Sequence, residues 1–186
     1  MRVYLIRHPR PAVAPDICYG ASDLDLADGA LDCVPRLRAI LPAHLPLFSS
    51  PLRRCRRLAE TLHDAPRYDG RLSEMDFGAW ELRPWNEIPR AELDAWADAP
   101  MGYAPPGGES VGALRSRVTA FLAEHCAPGG EDFAVVTHAG VMRIFAANLQ
   151  GLNEETWFNL GFGYGELTLL EVRPRAGDRV RDGPGA

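Results

Sequence analysis

Apolar side chains follow two rhythms along this chain. "RVYLIR" at 2–7 and "DFAVVTH" at 132–138 are nearly unbroken runs of strand-forming residues, the pattern of strands buried on both faces. "LPLFSS" at 45–50 is a shorter run of the same kind, and "ELTLLEV" at 166–172 alternates in part. Between them the spacing becomes helical. It predicts a helix over 29–41, with Leu31, Val34, Leu37 and Ile40 on one side and Pro35 in its first turn. A second helix spans 51–63, opened by Pro51, with Leu52, Cys55, Leu58, Ala59 and Leu62 sharing a face. A third covers 109–126, carrying Val111, Leu114, Val118, Phe121 and Leu122. A fourth, "AGVMRIFAANLQG", closes at Gly151. Residues 9–28 read as a loop, and 66–108 as an irregular stretch rich in Pro and Trp with one helix near 89–98.

Strands that alternate with helices give an α/β fold: a three-layer sandwich with a mostly parallel central sheet and helices on both faces. The length of 186 residues suits one domain, which we assign to 1–172, with 66–108 as a cap-like insertion. The tail at 173–186 has little apolar content and is expected to be mobile. A net charge of −5 argues against a nucleic-acid partner, so an anionic ligand would need a local cluster of arginines. No run is long enough to span a membrane, and the N-terminal apolar run is too short for an export signal. The four cysteines form no C-x-x-C pair and read as reduced thiols, so a cytoplasmic setting is expected. No Cys/His spacing or H-E-x-x-H suggests a metal, and no cofactor is expected.

In such a sheet the ligand site lies beyond the carboxyl ends of the strands. Arg7 and His8 end the first strand, Ser49 and Ser50 the second, and Thr137 and His138 the third. Arg53 and Arg54 sit in the first turn of the helix after the second strand. Three strand ends thus deliver two histidines and at least two arginines to one crevice, beside helix N-termini. Fixed guanidinium forks and free N–H groups suit a phosphate dianion, and a neutral imidazole beside them can attack phosphorus.

At this point the residues resemble a known family. "LIRHP", "SSPLRRCRRLAET", "LSEMDFGAWE", "PPGGES" and "VVTHAG" occur in the order and spacing of the histidine phosphatase superfamily, the phosphoglycerate mutase-like phosphatases. The resemblance covers about residues 2–150. "RHPRPAVAPDICYGASDLDLA" and "WELRPWNEIPRAELDAWADAPMGYAPPGGES" are similar to the alpha-ribazole phosphatases of cobalamin biosynthesis.

That resemblance implies a metal-independent phosphomonoesterase acting on a small-molecule phosphomonoester. His8 would become phosphohistidine. Arg7 and Arg54 would bind the phosphoryl oxygens, with Arg53 at a variable position. His138 would contact the phosphoryl group. Glu74 would protonate the leaving oxygen, with Glu109 as rival, and Glu109 and Ser110 would border the site. Tyr19 and Trp80 are aromatic candidates for contacting the substrate, against a plain packing role for Trp80, Trp85 and Trp96. Alpha-ribazole 5′-phosphate is the expected substrate. A phosphoglycerate mutase, a broader small-metabolite phosphatase and an inactive phospho-ligand module are the alternatives. The tryptophans, read as exposed, allow a homodimer. Two positions depart from the family pattern: Pro9 replaces a common glycine, removing a backbone N–H, and Leu82 stands where many relatives have glycine.

Overall fold

The computed structural model describes residues 1–127 and 130–172. The expected mobile tail, 173–186, lies outside the described residues. Five strands form one sheet: β1 (Arg2–Arg7), β2 (Leu47–Ser49), β3 (Arg67–Tyr68), β4 (Phe133–Thr137) and β5 (Leu167–Glu171), in the order β3-β2-β4-β1-β5. The contacts β1–β4, β2–β4 and β2–β3 are parallel, and β5 runs antiparallel to β1 at the edge. The sheet is therefore mostly parallel, as expected.

The pleat sorts the core. Val3, Leu5, Phe133 and Val135 face one way, toward α4 (Val111–His125) and α5 (Ala139–Gln150). Tyr4, Ile6, Ala134 and Val136 face the other way, toward α1 (Val34–Ile40) and α2 (Arg53–Leu62). Residues 66–108 carry α3 (Arg90–Asp98), and Trp80 and Ile88 among them form a small cluster with Cys18 of the 9–28 loop. Phe77 and Trp96 pack against both this cluster and the main core, so the insertion is cemented to the sheet layer.

Several boundaries differ from the sequence reading. The helix expected at 29–41 begins as a 3-10 turn at Ala30–Cys33, and α1 proper follows with Pro35 in its first turn. Ile40 is 52% exposed rather than part of the buried face. Pro51 precedes the second helix rather than opening it, because Leu52 takes the extended cap position. β3 and the short helix α6 (Glu154–Phe158) have no counterpart in the sequence reading. None of the four tryptophans is exposed, so they give no ground for a dimer: Trp80 and Trp157 are buried, Trp85 and Trp96 half-buried. Among the described residues, no helix is long and apolar enough to cross a membrane.

Candidate functional site

β1, β2 and β4 do end together. His8 is 2% exposed and held at both its backbone and its ring. Its backbone N–H donates to the Thr137 carbonyl at 2.9 Å, continuing the β1–β4 ladder one residue beyond the strand. Its Nδ1 lies 2.6 Å from the Pro9 carbonyl. A carbonyl only accepts, so Nδ1 carries the proton and Nε2 keeps its lone pair. Burial, followed by the charges of Arg54 and Arg7, drives the His8 pKa from 6.5 to about 3. The imidazole is thus neutral across the physiological range.

His138, wholly buried, is the cap residue of α5, and its ring centroid is 5.0 Å from that of His8. Its Nε2 meets Ser50 Oγ at 2.9 Å and Cys55 Sγ at 3.4 Å. Burial, then Arg54 and His8, holds its pKa well below the ordinary value. Burial likewise raises the Cys55 thiol, which keeps it protonated beside the histidine.

The two arginines are tethered through their Nη atoms. Arg54 is wholly buried and donates to the carbonyls of Ser22 at 2.7 Å and Gly20 at 2.5 Å. Arg7 donates to the Phe162 carbonyl at 2.6 Å, and its guanidinium lies 3.8 Å from the centre of the Tyr164 ring. The Nε–H of both arginines is buried with no acceptor among the described residues. Two fixed guanidinium groups with unsatisfied donors, flanking a neutral imidazole, are suited to receive a tetrahedral oxyanion.

Glu74 enters from the loop that follows β3. Its carboxylate accepts the N–H of Gly140, in the first turn of α5, at 3.1 Å and that of Met75 at 3.1 Å. Arg117 of α4 anchors this loop through the carbonyls of Arg71, Ser73 and Glu74. Glu109 in turn holds Arg117, at 2.6 and 3.2 Å, and accepts the N–H of Asp76. Paired in that way, Glu109 supports the loop that carries Glu74. Ser110 is likewise a structural residue: its Oγ caps α4 by accepting the N–H of Ala113 at 3.2 Å. Trp80 is wholly buried in the insertion and donates to Glu92 at 2.6 Å, so it offers no face to a substrate. Arg53 points out of the site, near Asp23 and Asp25.

The sequence model of the histidine phosphatase superfamily (branch 1) matches residues 3–181. The chain belongs to the histidine phosphatase superfamily. It is 25% identical to the adenosylcobalamin/alpha-ribazole phosphatase of Escherichia coli strain K12, over 94% of this chain and 92% of that protein. A crystal structure of phosphoglycerate mutase from Thermus thermophilus is 33% identical, with a TM-score of 0.72 over 91% of this chain and 92% of that one. The alpha-ribazole phosphatase structure from Shigella flexneri, at 24% identity, shares the fold with a TM-score of 0.81 over 93% of this chain and 91% of that one. As a histidine phosphatase, the chain is an enzyme of the phosphatase type.

Within this histidine phosphatase the two departures acquire meanings. Pro9 contributes no donor, but its carbonyl fixes the His8 tautomer. Leu82 has φ of 62°, the left-handed region where glycine is at ease and leucine is strained. Sequence reasoning missed Tyr164 and the segment around it. Tyr164 lies over Arg7, its ring is 5.5 Å from that of His8, and its hydroxyl meets that of Tyr19 at 2.7 Å. Tyr19, an aromatic candidate from the 9–28 loop, is thus brought beside Tyr164 and Arg7. Nothing in the local pattern "GFGYGE" marked that loop, apart from its glycines.

Proposed function

We propose that the protein is a metal-independent phosphomonoesterase that forms a phosphohistidine on His8 Nε2. The observation that carries this reading is the buried, neutral His8, locked as the Nδ1–H tautomer between two arginines with unsatisfied Nε–H donors. The phosphoryl oxygens lie between Arg7 and Arg54, and His138 donates to one of them. Nε2 attacks phosphorus in line with the leaving oxygen, and Glu74 delivers a proton to that oxygen. Water then attacks the phosphohistidine, with Glu74 receiving its proton. Charge neutralisation by two guanidinium groups leaves no step that requires a metal.

Alpha-ribazole 5′-phosphate is the substrate we favour, with cobalamin assembly as the setting. The support is the alpha-ribazole phosphatase name of the Escherichia coli relative, together with the Tyr19–Tyr164 pair at the mouth, which offers aromatic surface to a nucleotide base. We place this activity in the cytoplasm, where four free thiols would stay reduced. A phosphoglycerate mutase activity is the second reading, favoured by the 33% identity to the Thermus thermophilus structure.

The deciding measurement is phosphate release in EDTA from alpha-ribazole 5′-phosphate, beside a panel of small phosphomonoesters and a mutase assay on 3-phosphoglycerate. Preference for the ribazole is expected. Robust mutase turnover would replace our substrate, and loss of all activity on chelation would refute the metal-free chemistry.

A further inference from the structure

Arg54 presents an electrostatic puzzle. It is wholly buried, yet no carboxylate among the described residues forms an ion pair with it. A buried cation without compensation is costly. Its Nη groups rest only on the carbonyls of Gly20 and Ser22.

The same short turn is held on its other side by Glu81. That carboxylate accepts five hydrogen bonds: from the N–H groups of Gly20, Ala21, Ser22 and Phe77 and from Ser22 Oγ. The Gly20–Ala21 peptide therefore turns its N–H end to the carboxylate and its C=O end to the guanidinium, while the N–H groups of Gly20 and Ser22 hold the turn on either side of it. That peptide is a dipole oriented by the negative charge behind it and presented to the positive charge in front.

The surroundings serve this contact. A Cβ at Gly20 would lie 1.9 Å from the Met75 carbonyl and 3.1 Å from Glu81 Oε1, so only glycine lets the turn approach. Leu82, next to Glu81, holds its left-handed backbone while its N–H donates to the Cys18 carbonyl at 2.8 Å. Strain is thus tolerated beside the carboxylate.

We propose that Glu81 is a positioning residue for Arg54, acting through the Gly20–Ala21 peptide and the turn of residues 20–22 that carries it. The relay has an advantage over a direct ion pair. A carboxylate on the guanidinium would compete with the phosphate dianion for the same donors, whereas neutral carbonyls fix the fork and leave its charge for the substrate. The proposal rests on the phosphatase reading above.

Its test is a double-mutant cycle on kcat/KM for p-nitrophenyl phosphate and on inhibition by inorganic phosphate, with the full chain in EDTA. Glu81→Gln is expected to lower kcat/KM and weaken phosphate inhibition by about ten- to a hundredfold. In an Arg54→Gln background the same substitution is expected to change both by less than about twofold, because the residue it acts through is gone. A general structural role would give the same loss in both backgrounds and would overturn the proposal. Unchanged kinetics in Glu81→Gln would overturn it too. Should Glu81→Gln not fold, Ser22→Ala removes one of the five bonds. A weakening of a few-fold, again abolished in the Arg54→Gln background, is then expected, and an effect independent of Arg54 overturns the relay. A wild-type enzyme that neither turns over phosphomonoesters nor binds phosphate would refute the phosphatase reading, and the proposal with it.

Discussion

Glu74 and Gly140 illustrate how little room the site leaves for adjustment. A Cβ on Gly140 would come within 2.3 Å of Glu74 Oε1, so the missing side chain is what lets the carboxylate reach the first turn of α5. Gly140→Ala therefore separates stability from catalysis. Alanine suits a helix better than glycine by about 1 kcal/mol, so Tm is expected to hold or rise while kcat falls as Glu74 is pushed aside. Parallel losses in both would show that Glu74 is not the group displaced. Glu74→Gln tests the carboxylate directly. Hydrolysis of esters with poor leaving groups should slow far more than that of p-nitrophenyl phosphate, whose leaving group needs little protonation. Equal slowing of both would remove Glu74 as the acid.

The turn at Leu82 belongs to the scale of elements. Leu82 is 56% exposed and sits at φ of 62°, so its side chain contributes little packing while its backbone is strained by about 1 kcal/mol. Leu82→Gly is expected to leave the urea midpoint unchanged or raised, since relief of strain offsets the greater freedom of glycine in the unfolded chain. A clear fall would mean that the leucine side chain has a packing role. Elements also differ in how readable they were from sequence. β1, β4, α4 and α5 announced themselves because burial imposes a period of two or of 3.6 on their side chains. β3 has two residues and α6 has five, too few to show a period. The histidines and arginines were legible because strand ends and motif spacing placed them. The Phe162 carbonyl that holds Arg7 was not, because a backbone acceptor has no signature in side-chain identity. For Trp80 the packing reading holds and the substrate one falls; an indole suits either a core or a stacking platform, and its partner Glu92 lies on α3, a separate element.

At the scale of the whole molecule, two buried neutral histidines govern the response to acid. The folded His8 takes up its proton only near pH 3, whereas in the unfolded chain it does so near its ordinary 6.5. His138 is shifted in the same direction. Between those limits the unfolded state binds more protons, so stability falls as pH drops from about 6.5 toward 3 and is unaffected by these groups above that window. Glu81, where bonds from Ser22, Phe77, Gly20 and Ala21 outweigh the opposing effect of burial, has a depressed pKa and adds to the loss at the acid end. Urea midpoints measured from pH 7 to pH 4 should decline, and less steeply in His8→Asn. An identical slope in that variant would show that His8 does not carry the effect.

The antiparallel edge strand β5 has a consequence for synthesis. The backbone N–H of Arg7 donates to the Glu166 carbonyl, and Gly165 donates back to the Arg7 carbonyl. His8 is made before β5, and its housing arrives more than 150 residues later along the chain. At roughly 5–20 residues per second, a nascent chain carries His8 for several seconds or more before Tyr164 and β5 emerge to enclose it. The site of the folded enzyme is therefore completed only when these two distant segments of the domain are zipped together.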